Sequence, residues 1–529
     1  MRIAAIVIIA LALLMLLGGH AAAATFTVVN TGDNGGLDPA PNGGTGTLRQ
    51  AIVDANAAGG SNQINFNIPG AGAHTITLTN QLPGISNDLL INGSTQSGWV
   101  PNANAPDAGG LTTQLTIQLD GAGQTYGLWV SGNHAVGIEH LALNGFTGTA
   151  ISGDPGQVNA SLTVRGCFIG TQLDGSAFVS GYGNNGVAIR TGAGHAQIGG
   201  ALPGERNLIS GNAGGGIVVG RAAIIEGNLI GPDGSGTVAI GNGPSSNWPG
   251  IVLPGNFPNI RIGCSGAGCS SAASRNIISG NHTYGIGIWD TYGQGTGGLE
   301  IKGNFIGADW TGTKPLPNGD ATAGCPTYCG GIQLQGSSGT ATPASIIGGL
   351  AAGEGNLIAF NKGYGITAYN NALGASFDNR GNAIHGNRGA DIAFNLYDGR
   401  IANDAGDADA GTNNKQNFPV IQSATVSGTP GNLTLNVTYE VDSAAANSSY
   451  GANGLRVDFY FDIDEGSGDF LVSDWYPSGA AMMPRSVALP LPANVQSLVG
   501  FVASATDTNG YSSEFSPSWV FDRIFANGF

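Results

Sequence analysis

VRGCFIG (164–170), IEGNLIG (225–231), IKGNFIG (301–307) and NRGNAIHG (379–386) are four versions of one phrase. Their glycines Gly166, Gly227, Gly303 and Gly381 lie 61, 76 and 78 residues apart. A second phrase recurs between them: RNLISGN (206–212), RNIISGN (275–281) and GNLIAFN (355–361). A third follows: GGIVVG (215–220), YGIGIWD (284–290) and YGITAYN (364–370). Related forms stand earlier in each unit: NGVAIR (185–190), PGIVLP (249–254) and GGIQLQ (330–335). Self-similarity at this scale marks a repeat architecture.

In the third phrase, positions one and three after Gly are apolar. They are Val187 and Ile189, Ile217 and Val219, Ile251 and Leu253, Ile286 and Ile288, Ile332 and Leu334, and Ile366 and Ala368. Alternate strand side chains face opposite sides, so these predict an inward face, with positions two and four outward. Short strands bounded by Gly and Asn, with no crossover helix between, bury their apolar faces by coiling. Each coil then stacks in parallel on the next, with right-handed connections. A unit of 61 to 78 residues is expected to hold about three coils of roughly 20–25 residues. Asn228, Asn304 and Asn382 share one repeat position, and Asn212, Asn281 and Asn361 another. Stacked amides predict a hydrogen-bonded ladder; a polar binding row is the alternative. Cys167 replaces Asn at the first position and reads as a buried free thiol.

The run GTGTLRQAIVDANA (44–57), then INF, then LTNQLPGISNDLLING (78–93), resembles the N-terminal cap of bacterial secreted right-handed parallel β-helix proteins. The GN-x-IG, NLISGN and GI-x-I repeats resemble their body. The resemblance is to the pectin-lyase-like superfamily, many of whose members carry a CSLREA-type N-terminal segment. TLRQA (47–51) stands at that place without the Cys and with Gln for Glu. It implies a β-helix over most of residues 25–415 and leaves the function open. Physically, Thr47-Leu48-Arg49-Gln50 is a capping-box pattern. Leu48, Ala51, Ile52 and Ala55 fall on one helical face. A short helix at 47–58 would cover the open end of the coil.

Near residue 415 the Gly/Asn repeat gives way to alternating segments, among them NLTLNVTYEV (432–441), LRVDFYFDID (455–464) and LVGFVASATD (498–507). About six or seven strands over 416–522 predict an antiparallel β-sandwich of immunoglobulin-like type. The tail 523–529 ends on Phe, as outer-membrane barrels do, but no barrel-sized strand set precedes it. At the other end, Arg2, the apolar run Ile3–Leu17 and Ala21–Ala24 predict a signal peptide over 1–24; an uncleaved anchor is the alternative. The expectation is a secreted or cell-surface monomer with no transmembrane segment after cleavage.

Composition narrows the classes. The 529 residues include 92 Gly, and 34 Asp and Glu outnumber 18 Lys and Arg, for a net charge of −16. Such a surface repels phosphate and argues against nucleic acid as a partner. Cys264 with Cys269, and Cys325 with Cys329, are spaced for local disulfides, as export allows; a zinc site is the alternative. In NDAGDADAGTNNKQN (403–417), Asp404, Asp407, Asp409 and Asn413 offer hard oxygens suited to structural calcium, without an EF-hand pattern. FDIDEGSGD (461–469) is a weaker case that a hairpin loop explains.

For catalysis the signals are sparse. Asp174, Asp233 and Asp309 recur after the IG step, which suits turns. Arg165, Glu226, Lys302 and Arg380 share one outward repeat position and are the candidates for lyase-like chemistry. The polygalacturonase motifs Asn-Thr-Asp, Asp-Asp, Gly-His-Gly and Arg-Ile-Lys are not in the chain. Aromatics and amides gather instead at outward position four, which carries Arg190, Gly220, Pro254, Trp289, Gln335 and Tyr369, with Asp290 and Tyr292 beside Trp289. Rings stack on sugar faces and amides bond hydroxyls. The leading expectation is a non-catalytic, adhesin-like protein that binds polysaccharide. A polysaccharide lyase or glycoside hydrolase and a structural spacer are the alternatives.

Overall fold

The computed structural model describes residues 23–521 apart from 154–155, 157–159, 180–186, 193, 245–247, 254–258, 267–268, 270–271, 290–297, 320–328, 337–343, 370–374, 395–398 and 463–467. The signal segment and the tail lie outside the described residues, except Ala23 and Ala24 at the end of the signal segment. Three long parallel sheets wrap one apolar core, as a β-helix. The first sheet has eleven parallel strands, from Thr25–Val28 to Phe377–Arg380. The second begins with ten, from His74–Thr77 to Ala383–His385. The third has nine, from Tyr126–Trp129 to Ile392–Ala393.

The core is built by register. Ile138, Val164, Ile198, Ile225, Ile262, Ile301 and Ile347 face one another across successive strands of the first sheet. All seven are fully buried. Burying such a side chain is worth about 2 kcal/mol each, and β-branched residues suit the pleated surface.

The repeat unit holds two coils, not three. Strands of the first sheet begin at Ser161, His195, Ala222, Ile260, Leu299, Ser345 and Phe377, and the four repeat glycines follow every second one. The coils are longer than expected because they carry loops. They also alternate. Hairpins closed by Thr171 with Phe178, Pro232 with Ala239 and Ala308 with Pro315 follow every second strand of the second sheet.

Two amide ladders secure the turns. In the first, Nδ2 of Asn207, Asn228, Asn276, Asn304 and Asn356 each donates to Oδ1 of the next Asn, ending at Asn382, over 2.9–3.0 Å. In the second, Asn212, Asn242, Asn281, Asn318, Asn361 and Asn387 do the same over 2.8–3.0 Å. Cys167 heads the first ladder. It is buried and free. Its backbone N–H donates to Asn207 Oδ1 at 2.8 Å, and its thiol faces the carbonyls of Ile138 and Arg165. Burial pushes that thiol up to about 12, so it is not a nucleophile.

The N-terminal helix runs over Leu48–Ala58 and buries Leu48, Ala51, Ile52 and Ala55. Thr47 Oγ1 accepts from the Gln50 N–H, but the reciprocal half of the capping box does not form. Gln50 Nε2 is drawn instead to Ala40 O and Asp54. Arg49 is buried and donates to Asp33, Asp38, Asn80 O and Gln81 O.

The C-terminal unit is a sandwich of two antiparallel sheets over a shared core. Strand Gly468–Tyr476 pairs antiparallel with Ala383–His385, so one of its sheets continues the second sheet of the helix. Tyr460, Val502 and Phe515 enter the helix core. Glu514 accepts from the Phe394 and Ile401 N–H groups at 3.0 and 2.6 Å. The sandwich therefore closes the end of the solenoid. We expect Asn276→Leu to orphan its ladder neighbours and lower unfolding free energy by about 2–4 kcal/mol in a denaturant titration. Gln197→Ala, on the outer surface, should shift it little.

Candidate functional site

A solenoid offers three outer faces, and here two are occupied by its own side chains. Outside the second sheet, Ala142, Phe168, Leu208, Leu229 and Ile277 form a satellite apolar cluster. Trp99, Leu111, Leu173, Phe305 and Trp310 pack onto it. The three hairpins fold back over this row. Their Asp residues are turn residues, as expected. Asp174 Oδ1 accepts from Ser176, Asp233 Oδ1 from Thr237 and Val238, and Asp309 Oδ1 from Thr311 and Lys314.

The first sheet presents the charged row. Gly199, Gly263 and Gly348 stand in register between its members, so Glu226, Lys302 and Arg380 sit on alternate coils. Each charge is paired locally. Arg165 meets Glu205 at 3.0 Å, and Glu226 meets Arg261 at 3.1 Å. Arg380 pairs with Asp378. Lys302 lies 3.4 Å from Glu300 and 3.5 Å from Glu354. That is a cation beside two carboxylates, the arrangement a lyase would need. Yet Glu205 and Glu354 occupy equivalent turns, LPGERN and AAGEGN, and each bonds a backbone N–H of its own turn. A cation on one coil pairing with a turn glutamate is thus a repeated fastening.

The third sheet carries the aromatic row, with a corrected register. Ile189 faces Ile217 and Arg190 faces Val218, two positions from the pairing the phrases suggest. A slip of two keeps the same face, so alternation cannot reveal it. Val187 leaves the inward set for a different reason: Ala188 and Ile189 both enter the helix core, so alternation breaks there, and Val187 joins Val218 and Val252 in an outer cluster against Trp248 and Trp289. The outer row reads Trp129, Ser152, Arg190, Val218, Val252, Gly287, Gln333, Thr367. Beside it run Trp289, Gln335 and Tyr369 in register. Trp289 Nε1 donates to Gln333 Oε1 at 2.9 Å, and its ring meets Trp248 edge-on at 6.2 Å. Asp290, Tyr292, Pro254 and the Tyr369 side chain lie outside the described residues. Trp129, Trp248 and Gln333 escaped the sequence reading. YGLWV (126–130) is a further copy of the third phrase and could have located Trp129.

At the junction, Asp404, Asp407 and Asp409 come together, their ligand oxygens within 4.8 Å of one another. Asn413 does not join them. Its amide is spent on Phe377 N, Phe377 O and Ser512 O at 2.7, 2.8 and 2.6 Å, clasping the last coil to the sandwich. Asp407 is fully buried and accepts from Asn417 N, Gln416 Nε2, Ser443 and Ser448. Burial pushes its carboxyl up to about 6 against those hydrogen bonds. Asp404 Oδ1 is buried with no hydrogen-bond partner, and Asp409 pairs with Lys415 at 3.2 Å. Cys264 and Cys269 form a disulfide. Cys329 is also disulfide-bonded; Cys325 lies outside the described residues.

No protein-family model and no curated protein matches the chain. Similar solved structures include the A-module of mannuronan C-5 epimerase AlgE4 from Azotobacter vinelandii, at 15% identity and TM-score 0.33, covering 70% of this chain and 97% of that one. The AlgE6 A-module of the same organism aligns at 14% identity and TM-score 0.25, covering 66% and 91%. ORF18 of Geobacillus virus E2 aligns at 11% identity and TM-score 0.22, covering 94% and 76%.

The Asp407 shift has a definite sign. Its folded value of about 6 exceeds the usual carboxylate range. Its contribution to stability is therefore full below about pH 4 and is lost as pH rises through about 6. In chelator, the wild-type melting temperature should fall over that window more than that of Asp407→Asn, read by calorimetry at matched ionic strength.

Proposed function

We propose that this chain is an exported polysaccharide-binding protein, non-catalytic, which holds its ligand along the outer face of the third sheet. The observation that carries the reading is Trp289. Its indole is fixed by Gln333 and Trp248, with Gln335 and Tyr369 next in register. A ring held in place stacks on a sugar face with little ordering cost, while amides bond hydroxyls. The repeat sets such groups one strand spacing apart, about 4.8 Å, so a polymer meets several in turn. Arg190 stands in the same row and suits a hydroxyl or an occasional uronate. The other two outer faces support the reading because ion pairs and hairpins occupy them.

Calcium at Asp404, Asp407 and Asp409 belongs to the same proposal, as a structural ion at the junction. The unpartnered Asp404 Oδ1 favours it. Bound there, the ion would neutralise clustered carboxylates and brace the sandwich against the last coil. The immunoglobulin-like sandwich serves in this reading as end cap and attachment module. A polysaccharide lyase is the second reading, favoured by Lys302 between Glu300 and Glu354.

Pull-down of the mature chain on insoluble neutral and acidic polysaccharides tests the proposal. Trp289→Ala should weaken retention on the preferred polymer about tenfold, the equivalent of about 1.4 kcal/mol. No unsaturated product should accumulate by ultraviolet absorbance, with calcium or with chelator. Turnover that disappears in a folded Lys302→Ala protein would replace this reading with the lyase.

A further inference from the structure

At its N-terminal end the outer row of the second sheet turns polar. Thr75 and Gln118 precede Ala142 and Phe168 in register. A cleft of about 590 Å³ opens at this point, within the size range of small-molecule sites. Gln118 and Asn144 lie on the strands beneath it. Gln114 comes from one flanking loop, and Gln172 and Asp174 from the first hairpin. Leu115, Leu173 and Val179 add apolar surface.

The cleft is built on hydrogen-bonded backbone. Gln114 exchanges two backbone bonds with Val100, at 2.9 and 3.1 Å. Gln172 donates its N–H to Ala177 O at 2.8 Å and accepts from Gly175. Asn144 is buried, and its Nδ2 is anchored on Thr171 O at 3.1 Å. Gln118 Nε2 reaches Asn144 Oδ1 at 3.4 Å. Asp174 spends Oδ1 on Ser176, and Oδ2 makes no described bond. Among the described residues, no Lys, Arg or His lines the cleft.

Three amides, Gln114, Gln118 and Gln172, each both donor and acceptor, thus converge over the buried Asn144 with one carboxylate and a leucine-lined wall. Amides bond hydroxyls in either sense, a carboxylate accepts from vicinal hydroxyls, and the apolar wall takes a ring C–H face. A single negative charge without a cation repels anions. We infer that this cleft is a binding site for a neutral sugar, separate from the third-sheet face and independent of it. A uronate would bring its carboxylate against Asp174.

The probes are neutral gluco-, manno- and galacto-oligosaccharides and the matching uronate oligomers, added to the full mature chain. Calorimetry and saturation-transfer NMR read binding. At least one neutral oligosaccharide should bind in the millimolar range, and uronates about tenfold more weakly or not at all. Gln172→Ala, on an exposed hairpin, and Gln118→Ala should each lower neutral-sugar affinity severalfold with the circular dichroism unchanged. Asp174→Asn should narrow the gap to uronates. Trp289→Ala should leave cleft binding intact. The inference is overturned if no neutral sugar binds, if both glutamine variants bind like wild type, or if Trp289→Ala abolishes the signal. The first two outcomes leave retention of insoluble polymer by the third-sheet face untouched, and the third would assign the sugar to that face.

Discussion

The stacked asparagine side chains are the interaction on which the rest of the molecule depends. A coil must turn sharply between sheets, and the turn strands backbone groups that no ladder of strands can satisfy. One asparagine per turn resolves this. Nδ2 of Asn276 donates both to Ile225 O and to Asn304 Oδ1, and Oδ1 of Asn276 accepts from the N–H and Nδ2 of Asn228. Asn318 repeats the scheme in the other turn, with Ile278 O and Asn361. Every polar atom is used in a dry interior, where an unused one would cost about 1–3 kcal/mol. Glutamine reaches too far and serine offers one donor, so the position selects asparagine.

With the turns fixed, the alternation of coils decides what each face can do. A coil with a hairpin covers its neighbour's outward apolar residue. Gly236 shows the closeness: an added Cβ would meet Trp310 at 3.2 Å, and its φ is +72°. Ion pairs between turn glutamates and cations fasten the first sheet in the same two-coil rhythm. What remains for a ligand is the face with rings and amides, and the polar stretch where the second sheet begins before its first hairpin.

The sequence made the β-helix, the inward set, the disulfide at Cys264 and the turn role of Asp174 legible, because period and spacing report them directly. It misled where two solutions share one pattern. Asn207 and Asn276 sit in the quoted RNLISGN and RNIISGN phrases and share one ladder with Asn228 and Asn304, which the spacing of the phrases does not show. A coil of roughly 20–25 residues predicts three per unit, where loops lengthen the coils and leave two. Val187 fits the alternating pattern of the phrase and still lies outside, since adjacent Ala188 and Ile189 both turn inward and the strand departs from strict alternation. Asn413 shares a loop with Asp404 and Asp407, but proximity in sequence does not say where an amide points. Arg49 gave no signal at all: its partners Asp33, Asn80 and Gln81 are distant in the chain.

A ladder must also end, and its ends explain the terminal elements. At the start, the thiol of Cys167 faces two carbonyls as the amide of Asn228 does, so the row closes without an unused donor. At the far end, Asn382 donates to Asn379 Oδ1 at 2.7 Å, and Asn379 in turn donates to the Tyr460 hydroxyl at 2.9 Å. Asn379 occupies the place where the isoleucine row of the first sheet would continue. A polar residue there would be ruinous against solvent-excluding aliphatics, and it is tolerated because the sandwich brings Tyr460 and Ser512 to it. Arg456, buried between Asp378 and Asp458 at 2.8 Å each, fixes the same contact. The sandwich thus supplies the last partners of the solenoid's own hydrogen-bond chain. Removing it would leave buried donors unpaired, so the two units fold as one body.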